Sequence, residues 1–181
     1  MAQPSALPFA DRPTQRKRPF NGARDTVEEM IKAAVGPRGE QSAVVHSVKC
    51  SIVRELEPKD YLSEILAVRY FAAERIRYSN DALGVEQVQD PQRICEQILD
   101  YGKAVGDCDD IACWTVATLR QLGREAQFVI VGFGVAGNYS HVFGRAKEPK
   151  SGKWIVCDPV AGPNESSMLR RVTTYQIWDL P

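Results

Sequence analysis

Apolar residues recur every three or four positions through much of residues 25–122, the spacing that places them on one face of a helix. Polar caps, glycines and prolines interrupt this pattern, as expected where helices start and end. The pattern predicts five helices, with Asp25 or Thr26 capping the first and Asp60 the third. They cover approximately residues 25–35, 45–57, 61–78, 91–101 and 108–122.

After Gly123 the pattern changes to that of strands. Residues 127–135 are almost continuously apolar, which is typical of a strand covered on both faces. Residues 139–146 and 153–158 form two more candidate strands, and the turn residues between them favour an antiparallel meander. Helices that precede a sheet indicate the α+β class, with N-terminal helices packed on a small antiparallel sheet.

Composition and charge exclude several function classes. The chain has 181 residues, of which 44% are hydrophobic, and its formal net charge is zero. This favours one globular domain and makes nucleic acid an unlikely partner. No apolar run reaches the ~18 residues of a membrane span, and the N-terminus lacks the apolar core of a signal peptide. We expect no membrane partner and a cytoplasmic protein that is not secreted by a signal peptide.

The two ends of the chain differ in composition from its centre. Residues 1–23 hold four prolines and a cluster of basic residues, which predicts an extended arm. This arm could be solvated, or it could contact an acidic partner surface or nucleic acid. Residues 24–165 form the predicted domain, and residues 166–181 form a C-terminal tail with an apolar content unusual for a loose end. The tail could return to the core or insert into a partner.

Cysteine and histidine counts narrow the candidate chemistry. The five cysteines contain no C-x-x-C pair, which argues against a disulfide framework or a four-thiolate zinc site. Since the chain has two histidines, any histidine-assisted reaction must use His46 or His141. His46 is adjacent to the apolar face of its predicted helix and is expected at the surface or at an interface. The other four thiols, at Cys50, Cys95, Cys113 and Cys157, are expected in the core.

Cys108 follows a glycine-containing turn and begins the fifth predicted helix. Unpaired N–H groups and the positive end of the helix dipole stabilise a thiolate there. The flanking Asp107, Asp109 and Asp110 oppose this effect unless they serve as helix caps. Activation of Cys108 as a nucleophile therefore requires a base from elsewhere in the chain.

His141 and Asp158 lie on neighbouring predicted strands. If these strands form a hairpin, Asp158 can accept a hydrogen bond from the imidazole and fix its orientation. The order Cys108, His141, Asp158 then predicts a nucleophile, a base and an orienting carboxylate. The backbone N–H of Cys108 would meet the oxyanion.

Other interpretations of these residues stay open. The three aspartates around Cys108 could bind a hard cation, although their spacing lacks the alternating ligands of a calcium loop, which favours capping. Cys108, His141 and Asp158 could also hold zinc with an open position for water. Asp158 could simply form the turn before Pro159. We expect no cofactor and no metal.

Several motifs in this order resemble the transglutaminase-like superfamily of papain-fold enzymes. The resemblance covers about residues 61–160 and includes Ile76-Arg77-Tyr78, which is similar to the helix end before the family's active-site loop. The Gly106–Asp110 sequence looks most like small transglutaminase-like proteins encoded by bacteriophages and prophages. The other matching segments are Leu119–Gly123, Phe128–Phe133, Ser140–Phe143 and Trp154–Pro159.

The resemblance implies a catalytic triad of Cys108, His141 and Asp158 and acyl transfer at an amide or peptide bond through a thioester. Its substrate would be a protein or peptide, with water or an amine as acceptor. The small single domain favours hydrolysis, or no turnover. The alternative is a phage virion structural or assembly protein, in the head, neck or tail, whose arm and tail dock onto other phage structural proteins. Its location would then be virion-associated.

Overall fold

The computed structural model describes residues 22–81, 87–135, 138–161 and 165–181. The predicted arm therefore lies outside the described residues, except for Gly22 and Ala23. The helices of the described part are α1 Ala23–Val35, α2 Ala43–Val53, α3 Tyr61–Arg75, α4 Pro91–Tyr101, α5 Cys108–Gln121 and α6 Glu165–Arg170. The strands are β1 Ile76–Tyr78, β2 Ala104–Gly106, β3 Ala126–Gly132, β4 His141–Lys147, β5 Trp154–Cys157 and β6 Thr174–Asp179.

Helix α5 is the central element of the core. Its residues 109–119 are all buried, because β4 packs against one side of the helix and α1, α3 and α4 pack against others. Gly144 of β4 allows the close approach, since a Cβ atom there would lie 2.9 Å from the Val116 side chain. This packing brings the N-terminus of α5 to the sheet that carries His141.

The main sheet has the strand order β5-β4-β3-β6, and all its pairs are antiparallel. Phe128 and Ile130 of β3 face the core around α5, whereas Val129 and Val131 pack with Met168 and Val172. Strand β3 is thus covered on both faces, as its continuous apolar run predicted. The meander and the α+β class predicted from the sequence are confirmed.

The predicted third helix is wrong at its C-terminal end. Residues Ile76–Tyr78 leave the helix and pair in parallel with β2, a strand that the sequence did not reveal. Ile76 fits the apolar spacing of the helix because its side chain is buried in the same core as the apolar face of α3. The two strands are short, and they pair with each other although almost 30 residues separate them in the sequence. Local periodicity cannot detect such a distant partner.

Two predicted helix ends also need correction. Helix α1 begins at Ala23, with Gly22 as its N-cap, so Asp25 lies in the first turn and is not the cap. An ion pair between Arg24 and Glu28 at 3.0 Å supports this earlier start. Helix α2 ends at Val53, before the predicted end near Pro58. The predicted cap Asp60 is confirmed, and Asp90 caps α4.

The apolar C-terminal segment returns to the fold. Strand β6 pairs with β3 along the edge of the sheet, and Trp178 and Leu180 pack against the main core. The Arg120 side chain donates to the Pro181 carbonyl at 2.7 Å. Of the two interpretations open at the sequence level, the structure shows the return to the core. Among the described helices, none has the length and apolar content that a bilayer span requires.

Candidate active site

Cys108 occupies the first position of α5, as the sequence predicts. Asp107 is the N-cap, and its side chain accepts a hydrogen bond from the Asp110 N–H at 3.4 Å. Asp110 in turn accepts from the Asp107 N–H, which completes a capping box. At this position the Cys108 N–H has no acceptor within the helix. The partly exposed thiol therefore lies beside a free backbone donor and the positive end of the helix dipole.

His141 and Asp158 meet at the end of the β4–β5 hairpin. His141 is the first residue of β4, and Asp158 directly follows β5. Gly144 pairs with Cys157, so continuing the register places Asp158 opposite Phe143. His141, two residues before Phe143 on the same face of β4, is therefore the diagonal neighbour of Asp158.

A chain of hydrogen bonds connects the three predicted site residues. His141 Nε2 lies 2.7 Å from Asp158 Oδ2, and His141 also hydrogen-bonds with the Cys108 thiol. Because Asp158 engages Nε2, Nδ1 is the ring nitrogen available to Cys108. The other oxygen of Asp158 accepts from the N–H groups of Val160 and Ala161 at 2.9 and 3.3 Å. The carboxylate is 1% exposed, and both of its oxygens have hydrogen-bond partners.

The surroundings of His141 favour its protonated form. Burial lowers its pKa, but hydrogen bonds with Asp158 and Cys108 and the negative charges of both partners raise the pKa, with a net result of about 9. The imidazole is therefore positively charged at neutral pH. A cation beside a thiol stabilises the thiolate. The arrangement can thus hold a thiolate–imidazolium pair, the form in which a cysteine attacks a carbonyl carbon.

Comparison with known proteins agrees with this geometry. The family model described as the transglutaminase-like superfamily matches residues 50–159, which is more than half of the chain. The chain belongs to the transglutaminase-like superfamily. A search of the curated proteins found no match.

Two solved structures share the fold of this superfamily member. A proposed protease from Parabacteroides distasonis aligns over 77% of the chain with a TM-score of 0.55 and 10% sequence identity. A proposed cysteine protease from Cytophaga hutchinsonii aligns over 83% with a TM-score of 0.52 and 17% identity. The chain covers 27% and 51% of the lengths of these two proteins. At such low identity the likeness concerns the fold.

A buried hydrogen-bond network holds the turn before Cys108 of this transglutaminase-like chain. Asp110 Oδ1 accepts from the Gln89 backbone N–H at 2.6 Å, and Asp110 Oδ2 accepts from the Gln89 side chain at 2.5 Å. The Gln89 side chain also donates to the Val105 carbonyl, and Gln97 bonds with both Gln89 and the Val105 N–H. The network connects α4 with the first turn of α5. Asp110 therefore positions Cys108 indirectly.

Sequence reasoning identified Asp110 as a helix cap but missed Gln89 and Gln97. Gln89 lies between the third and fourth predicted helices, outside the apolar pattern that located them. Gly106, two residues before Cys108, also helps to position this turn. A Cβ atom at Gly106 would lie 2.8 Å from the Asp110 side chain, so residue 106 must be small for the capping carboxylate to fit.

We expect Asp110→Asn to destabilise the protein by about 2–4 kcal/mol, since an amide NH₂ would face N–H donors that now point at a carboxyl oxygen. Urea unfolding followed by circular dichroism measures this loss. Asp100→Asn, at the exposed end of α4, is the matched control and should stay within about 0.5 kcal/mol of the wild type. Equal stabilities of the two variants would contradict the positioning role of Asp110.

The three aspartates next to Cys108 come close enough to share a cation. One oxygen from each of Asp107, Asp109 and Asp110 lies within 4.8 Å of the others. The capping box confirms the predicted capping role of Asp107 and Asp110. The pKa of Asp110 is raised to about 8, and the pKa of Asp109 is raised well above its ordinary range. In both cases burial is the largest cause and the neighbouring Asp107 is the second largest. Proton uptake relieves the repulsion within this cluster.

The zinc interpretation of Cys108, His141 and Asp158 is less compatible with the geometry. His141 Nε2 and Asp158 Oδ2 lie 2.7 Å apart and bond with each other. A zinc ion that both atoms ligate at about 2 Å would have to separate them. The observed contacts fit the hydrogen-bonded triad better.

The structure separates the remaining thiols into two groups. Cys95, Cys113 and Cys157 are buried, as expected, and burial raises the pKa of Cys95 to about 12 and that of Cys113 well above its ordinary value. Cys50 is exposed, so its prediction as a core thiol is wrong. The helical rotation of α2 turns Cys50 away from the face that buries Val45 and Val48.

His46, the other histidine, lies at the surface, as predicted. Its Nε2 atom is 3.4 Å from Cys50 Sγ, one helical turn away on α2. The chain thus carries a second thiol–imidazole contact that is exposed and lies within a helix. It is a natural internal control for the reactivity of Cys108.

Proposed function

We propose that this protein is a cysteine hydrolase or acyltransferase that acts on an amide or peptide bond of a protein or peptide substrate. The observation that carries the proposal is the hydrogen-bonded chain from Cys108 through His141 to Asp158 at the N-terminus of α5. Membership of the transglutaminase-like superfamily supports it.

The geometry supports a two-step reaction. The Cys108 thiolate attacks the carbonyl carbon, and the oxyanion that forms accepts a hydrogen bond from the Cys108 N–H. The His141 imidazolium donates its proton to the leaving amine, which leaves a thioester on Cys108. In the second step neutral His141 removes a proton from the acceptor, which attacks the thioester and releases the thiolate. Asp158 keeps the imidazole in place in both steps.

Both water and an amine can complete the second step. We propose water as the acceptor, and the two structural neighbours, which are named as proteases, support this choice. Incubation with a peptide and an added primary amine distinguishes the two acceptors by mass, because aminolysis attaches the amine to the peptide product.

Alkylation tests the activated nucleophile. With iodoacetamide at pH 7, we expect Cys108 to react at least about tenfold faster than Cys50, since Cys108 has a cationic partner and lies at a helix N-terminus. Peptide mapping by mass spectrometry measures the rate at each thiol. His141→Ala should slow Cys108 by about tenfold and leave Cys50 unchanged.

The surface pair provides the matched control for this experiment. His46→Ala should alter only the rate of Cys50, its contact at 3.4 Å. If Cys108 reacts no faster than Cys50, or if its rate is insensitive to His141→Ala, the proposal of an activated nucleophile fails.

The phage origin and the alternative of a virion structural or assembly protein stay predictions from the sequence. The alternative depended on the arm and on the tail as docking segments. The strand β6 of the tail completes the sheet, and Trp178 and Leu180 of the tail pack within the domain. The residues of the arm that precede Gly22 lie outside the described part of the chain. The cysteine chemistry therefore has the stronger support.

A further inference from the structure

A surface groove of about 390 Å³ is lined by residues of α3, β1 and α5, by Lys103 and by the two residues that follow Asp158. Ile76, Ile111 and Pro159 contribute apolar lining, and the exposed residues Arg77 and Lys103 contribute cationic lining. The volume lies within the range of sites that bind small ligands or single side chains. The groove is therefore large enough to accept one long side chain of a substrate.

Several lining residues adjoin Cys108 or Asp158. Tyr78, which lines the groove, pairs with Gly106, two residues before Cys108. Ile111 follows Cys108 by one helical turn, and Pro159 directly follows Asp158. Burial raises the pKa of Tyr78, and the negative charge of Cys108 raises it further, which indicates that the two side chains are close. A side chain in the groove would thus belong to a residue near the attacked bond.

The charges that line the groove are unbalanced. Among the described lining residues, Glu74 is the one acidic residue, and it forms an ion pair with Arg75 at 3.4 Å. Arg77 and Lys103 form no ion pair with any residue in the described ranges. Among the described residues, the groove therefore presents two cations without an ion-pair partner beside an apolar surface, which is complementary to an aliphatic chain that ends in a carboxylate.

The lining also indicates which part of the substrate the groove holds. The leaving amine departs toward His141, the proton donor on β4, whereas the acyl part stays bound to Cys108 as the thioester. No residue of β4 lines the groove. The groove therefore borders the acyl part of the substrate.

We propose that this groove binds an acidic side chain, glutamate or aspartate, of the residue that supplies the carbonyl group attacked by Cys108. The methylene groups of the side chain contact Ile76 and Ile111, and its carboxylate meets Arg77 and Lys103. This inference rests on the proposed function, and it assigns to the enzyme a substrate class of acidic peptides.

Electrophilic peptide probes test the inference without knowledge of the natural substrate. Three peptidyl chloromethyl ketones that differ only in the residue next to the reactive group, glutamate, glutamine or lysine, are reacted with the full-length protein. Mass spectrometry gives the second-order rate at Cys108. We expect the glutamate probe to react about fivefold faster than its neutral isostere glutamine, and the lysine probe to react more slowly than both. The preference should shrink in 1 M salt, which screens exposed charges.

Charge reversal at the groove provides the decisive comparison. In the double variant Arg77→Glu, Lys103→Glu the order of the probes should reverse, with the lysine probe about fivefold faster than the glutamate probe. Arg54→Glu, an exposed arginine at the end of α2, is the matched control and should keep the wild-type order. The rate with iodoacetamide, which carries no peptide, corrects for any change in the reactivity of Cys108 itself.

The outcomes separate this inference from the proposed function. Equal rates of the glutamate and glutamine probes at a Cys108 that still depends on His141 would overturn the acidic preference alone. An order of probes that the double variant leaves unchanged would likewise overturn it. If no probe modifies Cys108 faster than it modifies Cys50, the proposed cysteine chemistry fails instead.

Discussion

Cys108→Ala should abolish the acylation step, and the loss should be visible as a missing burst with p-nitrophenyl acetate. We expect the wild-type protein to release about one equivalent of nitrophenolate rapidly, because the acetyl group is transferred to the Cys108 thiolate before slow deacylation. Without the thiol no acyl-enzyme forms, and the rate of nitrophenolate release should fall by about 10³-fold or more. Stopped-flow absorbance measures the amplitude and the rate of the burst.

The other residues of the site should act with Cys108 as a unit. His141→Ala should slow the burst by about 10²-fold or more, and the double variant should be no worse than Cys108→Ala, since members of one catalytic unit are not additive. Cys50→Ser is the matched control and should retain the full burst, because its exposed thiol lies on α2. A burst of unchanged amplitude in Cys108→Ala would exclude this residue as the nucleophile.

Asp158→Ala should have the second largest effect, by lowering both the pKa of His141 and the rate of acylation. In the wild type, the hydrogen bond and the charge of Asp158 contribute to the rise of the His141 pKa to about 9. Asp158→Asn keeps a hydrogen-bond acceptor but removes the charge, so we expect about a tenfold loss of acylation rate for asparagine and about 10²-fold or more for alanine. In both variants the pKa of His141 should fall toward its ordinary value of 6.5.

The sign of the pH dependence follows from the raised pKa. Protonated His141 contributes stability that is complete below pH 6.5 and is lost as the pH rises through about 9. Acylation by an amide substrate should decline over the same alkaline range, since neutral His141 cannot protonate the leaving amine. Because the thiol and the imidazole interact, the observed value belongs to the pair. In Asp158→Asn this alkaline decline should shift to lower pH.

Nuclear magnetic resonance titration can follow the protonation of His141 directly. A His141 pKa that is equal in the wild type and in Asp158→Ala would contradict the role of Asp158. A rate of acylation in Asp158→Ala equal to that of the wild type would contradict this role as well.

The local motifs of the site could be predicted because they depend on neighbouring residues. Asp107, which precedes Cys108, forms a capping box with Asp110, which lies three residues after Asp107. This capping box starts α5. The β4–β5 hairpin follows from alternating apolar residues and a short turn, and its register places His141 beside Asp158. These features are encoded within windows of about 20 residues, which periodicity and turn chemistry detect.

The missed features depend on residues that are distant in the sequence. Ile76–Tyr78 form a strand only because β2 supplies its partner, and Gln89 becomes important only where Asp110 meets it. The exposure of Cys50 depends on which face of α2 the other helices cover. Hydrophobic spacing identifies an apolar face, but it gives no information about long-range partners.

The sequence by itself determined the α+β order, the helix start at Cys108 and the candidate triad, because each follows from local caps, spacing or motif order. The tertiary structure alone decided the contact between the Cys108 thiol and the ring of His141, since that contact depends on the packing of α5 against β4 at Gly144. It also decided the charge of His141. Burial and the partners Asp158 and Cys108 set the pKa of His141, and both the burial and the partners depend on the fold.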